Sequence, residues 1–99
     1  MCEISYVIRE ISQAEFDADR LTPAHLRAAR ALLGWLAKDL AERAGLGVAT
    51  VRRAELGDPR ITYETRVALV RALEEGGVTL TLFEGQGPGA YLKAPATEI

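Results

Sequence analysis

Apolar residues recur at helical spacing through the middle of the chain and alternate at its two ends, so the pattern predicts helices flanked by strands. Thr22 and Pro23 read as an N-cap and a proline at the first helical position. Leu26, Ala29, Leu32 and Leu33 follow at helical spacing, and Gly34 stops the element. The first helix is therefore expected over residues 23–33. A second, over 37–44, turns Leu40, Ala41 and Ala44 inward and ends at Gly45. A third, over 48–55, carries Val51 and Ala54 on one side before Gly57, Asp58 and Pro59 break it. Thr62 caps a fourth, with Tyr63, Val67, Val70 and Leu73 as its apolar stripe and Gly76-Gly77 as its stop.

Beyond Gly77 the period changes to two. Val78, Leu80 and Leu82 alternate with Thr79, Thr81 and Phe83, which predicts a half-buried strand. Residues 84–89 read as a glycine-rich turn and 90–93 as the returning strand. Near the N-terminus, Ile4, Tyr6 and Ile8 share one face of an expected strand over 2–11, and Ser12 with Glu15 resembles a capping box that starts a short helical turn through Asp19. The expected fold is mainly α, with four helices, an N-terminal strand and a C-terminal β-hairpin. It divides one domain into an arm (1–20), a helical core (21–76), a hairpin (77–93) and a tail (94–99).

The composition is that of a globular chain, with 48% apolar and 26% charged residues among 99, enough for one core and not two. The lone cysteine, Cys2, has no partner for an intrachain disulfide, which makes the cytoplasm the expected compartment. No apolar run approaches the roughly 18 to 20 residues that span a bilayer. Glu3, Arg9 and Glu10 interrupt the apolar stretch that a signal peptide would need. The net charge of −2 hides an uneven distribution. Residues 1–19 hold one base and five acids, residues 20–71 ten bases and five acids, and residues 72–99 one base and four acids. A basic centre between acidic ends suits a central surface that meets a polyanion.

The segment from Lys38 to Gly57 has the requirements of a helix-turn-helix. Ala41 lets two short helices approach, Gly45 permits positive φ, and Leu46 and Val51 fill the core between them. That arrangement turns the start of the third helix outward, as proteins of this type do to enter the DNA major groove. From about residue 21 to residue 92 the sequence resembles the lambda-repressor/Cro-like, XRE-type helix-turn-helix transcriptional regulators that end in a glycine-rich β tail. The resemblance rests on residues 29–35 (Ala-Arg-Ala-Leu-Leu-Gly-Trp), 40–45 (Leu-Ala-Glu-Arg-Ala-Gly), 48–55 (Val-Ala-Thr-Val-Arg-Arg-Ala-Glu), Gly77-Val78 and Gly87-Pro88-Gly89. One departure stands out. Where the family has Ser-Gln at the start of the second helix, this chain has Leu36-Ala37, so the usual helix cap and phosphate-binding glutamine are both absent.

The resemblance implies a regulator that binds double-stranded DNA sequence-specifically as a homodimer, and the β segments, acidic and with open strand edges, are the expected dimer surface. Val48, Ala49 and Arg53 match base-reading positions, and Lys38, Thr50, Arg52, Arg60 and Tyr63 match positions at the DNA backbone. Arg30 and Glu55 match a structural ion pair between the first and third helices. The alternative is an antitoxin-like or adaptor module that keeps the fold for protein contacts. Trp35 is expected in the core, His25 in solvent, and Glu74-Glu75 at a solvated helix end. Thr50, Ser5 and Ser12 have no histidine in a triad-like context, and residues 85–89 lack the lysine and following helix of a phosphate loop. No catalytic residue, metal ligand, cofactor or small-molecule ligand is therefore expected.

Overall fold

The computed structural model describes residues 16–93. The expected N-terminal strand, the Ser12/Glu15 capping pair and the tail from residue 94 lie outside them. A single 3-10 turn, Ala18–Arg20, leads into four helices: α1 (Pro23–Leu33), α2 (Ala37–Ala44), α3 (Val48–Glu55) and α4 (Tyr63–Glu75). Two antiparallel strands follow, β1 (Val78–Phe83) and β2 (Gly87–Leu92), paired from Val78 with Leu92 to Phe83 with Gly87. The first turn is capped by Asp17, whose Oδ1 accepts from the Asp19 N–H at 3.0 Å. The four helices take the bounds that their caps and stops predict. The hairpin does not, because its turn is only Glu84, Gly85 and Gln86. Gly85 adopts φ 82° and Gln86 N–H donates to the Phe83 carbonyl, so β2 starts at Gly87, three residues before the expected return.

Leu26, Ala29, Leu40, Val51, Leu69, Leu73 and Val78 form the centre of the core, with Leu80 beside them. The hairpin therefore completes the helical core rather than hanging from it. Leu32 and Tyr63, placed on apolar stripes by periodicity alone, are exposed instead, and Leu69 and Ala72 take up the buried face of α4. Trp35 fulfils the core expectation in part. It is half-buried against the core, with Arg43 stacked 4.6 Å above its ring. A Cβ on Gly76 would lie 2.6 Å from that ring, which is why the end of α4 carries glycine there.

His25 is the clearest departure from expectation. It is 1% exposed, the third residue of α1, and it completes a reciprocal cap: Thr22 Oγ1 accepts from the His25 N–H at 3.2 Å, and His25 Nδ1 accepts from the Thr22 N–H at 3.0 Å. With Nδ1 accepting, Nε2 carries the proton and donates to the Thr81 carbonyl at 2.6 Å. Phe16 packs edge-on to the ring at 4.8 Å. The sequence carried a signal for this, since His25 occupies the position that Glu or Gln fills in a capping box.

The second long-range tie joins α1 to α3. Arg30 meets Glu55 through two hydrogen bonds, Nε to Oε2 at 2.6 Å and Nη2 to Oε1 at 3.0 Å, and its Nη1 donates to the Trp35 carbonyl at 2.9 Å. Glu55 holds the Arg30 guanidinium above its already high ordinary pKa, chiefly through the side-chain hydrogen bond, with burial opposing the shift and charge adding to it. Arg27 adds a bond to the Glu55 carbonyl at 2.7 Å. The pair sits in a largely covered position, with side-chain exposures of 23% and 11%, so removing one partner strands the other.

Two stability measurements follow. His25→Leu removes both ring hydrogen bonds and should cost about 1 to 3 kcal/mol in urea unfolding. His25→Gln, which can still accept from the Thr22 N–H, should fall between it and the parent; equal stability of all three would mean that the ring bonds contribute nothing. Glu55→Ala should cost about 3 kcal/mol, whereas Arg30→Met combined with Glu55→Leu should cost less than that single change. A double variant at least as unstable as Glu55→Ala would show that geometry, not the stranded charge, sets the loss.

Candidate nucleic-acid interface

Gly45, Leu46 and Gly47 connect α2 to α3. Gly45 takes φ 72°, its N–H bonds the Glu42 carbonyl, and the Leu46 N–H bonds the Ala41 carbonyl at 2.8 Å. This paired closure fixes where the chain leaves α2. Leu46 packs on the core and Val51 is fully buried, which turns one face of α3 inward with Ala54 and Glu55. Ala49, Arg52 and Arg53 are exposed on the rest of the helix. Val48 and Thr50 are half-buried, and Val48 also packs on the core. Ala49 and Arg53 are thus free for a ligand, while Val48 offers only part of its surface.

The basic side chains near α3 are organised by an acid that sequence reasoning passed over. Asp58, in the loop after α3, accepts at Oδ1 from the Arg60 N–H at 2.9 Å and from Arg60 Nε at 3.1 Å, and at Oδ2 from Arg60 Nη2 at 3.1 Å. Arg53 Nε lies 3.9 Å from the same Oδ2, and Arg53 Nη2 donates to Thr50 Oγ1 at 3.3 Å. The hydrogen bonds from Arg60 hold the Asp58 carboxyl below the usual carboxylate range, and Asp58 in turn raises the Arg60 guanidinium. Asp58 therefore stays charged throughout the neutral range. The signal was local: an aspartate in a Gly-Asp-Pro turn readily caps the N–H two residues on.

At the start of α2, Leu36 offers no side-chain acceptor and is exposed. The helix compensates from inside, because Asp39 Oδ2 accepts from the Leu36 N–H at 2.8 Å. Half of a reciprocal cap thus survives the loss of the usual serine. Lys38, the second residue of this helix, is exposed. Arg53, Thr50, Asp58 and Arg60 form one connected group, which Lys38 does not join. Tyr63, the first residue of α4, is half-exposed beside Phe16, Val67 and Val70. Arg66, another residue the pattern did not single out, donates to the Leu21 carbonyl at 2.9 Å and ties α4 to the entry of α1.

No helix among the described residues is long and apolar enough to cross a membrane. No curated protein matches the chain. The helix-turn-helix family model HTH_3 matches residues 26–79, just over half of the sequence, and spans all of α2, the turn and α3. The chain therefore belongs to the XRE-type, lambda-repressor/Cro-like helix-turn-helix family, whose members bind double-stranded DNA.

Proposed function

We propose that the protein is a sequence-specific regulator that sets α3 in the major groove of double-stranded DNA and acts as a homodimer. The observation that carries this reading is the division of α3: Val51, Ala54 and Glu55 anchor it to the core while Ala49, Arg52 and Arg53 are exposed. Arg53 has the geometry to pair with guanine O6 and N7, and Ala49 with Val48 can meet a thymine methyl. Arg52, Thr50, Lys38, Arg60 and Tyr63 are the proposed backbone contacts, which set register without reading sequence.

A single eight-residue helix reads few base pairs, so two-fold pairing supplies the remaining selectivity. The hairpin is the proposed dimer surface. Val78 and Leu80 are spent on the intramolecular core, but Phe83 and Tyr91 share the opposite face and are more than half exposed. Gly87 and Gly89 lie beside them and leave that face shallow. A second copy laid on it would cover both aromatic rings. The protein-contact reading draws on different residues, Leu36 and the 84%-exposed Leu56, which offer apolar surface beside the same helices.

Selection from a random duplex pool, followed by binding at several salt concentrations, tests the DNA reading. Arg53→Ala should lose about 1 to 3 kcal/mol on the selected site and relax one position per half-site, whereas Lys38→Ala should weaken all sequences alike and flatten the salt slope by about 1. A pool that yields no preferred sequence would favour the protein-contact reading. Sedimentation tests the interface: Phe83→Ser with Tyr91→Ser should give a folded monomer. If that variant stays dimeric, the hairpin face is not the contact.

A further inference from the structure

The loop between α3 and α4 places one carboxylate against two of the arginines offered to DNA. Asp58 is only 12% exposed at its side chain, while its partners Arg60 and Arg53 are 85% and 51% exposed. Its two oxygens take Arg60 side-on through Nε and Nη2, the same paired geometry with which arginine grips a phosphate. Arg53 is held differently. Only its Nε faces Asp58, and Nη2 rests on Thr50 Oγ1 within the same helix. The end of that guanidinium remains exposed and is steadied from behind. Glu55, the other acid on this stretch, is committed to Arg30 on the inner side. Asp58 is thus the negative charge that an approaching duplex meets among Arg52, Arg53 and Arg60.

We propose that Asp58 is a specificity-determining positioning residue, which occupies the place of a DNA phosphate between Arg53 and Arg60 and thereby penalises binding that rests on the backbone alone. The inference builds on the DNA-binding reading above. Nonspecific binding draws on phosphate contacts and counterion release. To make those contacts, Arg60 and Arg53 must leave Asp58, and the bared carboxylate then either repels the backbone or takes back a cation. Base reading by Arg53 needs no such exchange at that residue, since its outer edge can reach a guanine with Nε still beside Asp58. The exposed pair is itself weak enough to open at a close phosphate, so the acid restrains contact rather than forbidding it. Loss of the acid should therefore help random sequences more than the chosen one.

The test uses the full chain, with Asp58→Asn and Asp58→Ser each compared with the parent. Both side chains retain an acceptor for the Arg60 N–H, which keeps the turn and allows either folded variant to decide the matter. Binding is measured to a random duplex and to the duplex that the parent selects, across a range of salt. The charge-free variants should bind random duplex about three- to tenfold more tightly at low salt, with a salt slope steeper by about 1 as Arg60 becomes available to a phosphate. Affinity for the selected duplex should rise less, so the specificity ratio falls. Adding Arg60→Gln should erase the gain in slope in the Asp58→Asn background. Unchanged random-duplex affinity and slope would overturn the inference, and so would equal weakening on both duplexes. If the parent itself binds no duplex, the DNA-binding reading falls and the inference with it. If the parent binds and the variants match it, only the inference falls.

Discussion

The orientation of α3 rests on the Arg30–Glu55 contact. Eight residues of helix have little stability by themselves, and Val51 and Ala54 alone supply a small anchoring surface. Glu55 adds direction at the C-terminal end of the helix, where Arg30 grips both carboxylate oxygens and Arg27 takes the main-chain carbonyl. Because Arg30 also holds the Trp35 carbonyl, one guanidinium fixes the end of α3 and the exit of α1 together. The exposed side of α3 is defined by default, as the side this clamp leaves over.

The helical part of the fold was written in local signals. Thr22-Pro23, Gly34, Gly45, Thr62 and Gly76 each act within a few residues, so all four helices could be placed from short stretches of chain. Errors arose where distant residues decide. Leu32 has the spacing of a core residue, yet no element among the described residues covers it, and His25 lies in the core because β1 brings a carbonyl to it. At the candidate site, the family motif pointed to the outward residues of α3 and to the Arg30–Glu55 pair. Asp58 escaped notice because its importance comes from the two side chains that fold over it, not from its position in the motif.

Charge is used in two opposite ways on this small surface. Around Glu55 a covered acid draws basic groups inward and consumes them for structure. Around Asp58 the acid holds its arginines at the surface, in contacts that opening costs little. The uneven charge along the sequence is consistent with this division, since the basic centre must supply both clamps and still present Arg52 and Lys38 to solvent. A net charge of −2 therefore says nothing about the sign of the face that α3 presents.

The bond from His25 to Thr81 joins residues 56 positions apart. The ties between α1 and α3 span only 25 and 28 positions, and short loops close sooner and at lower entropic cost. During synthesis the chain emerges from its N-terminus, so α1 to α3 become available for packing before β1 does. The imidazole must then wait, buried on one side only, for a carbonyl made almost at the end of the described chain. Docking of the hairpin is thus the late step of folding, and the His25 ring is the seat kept open for it.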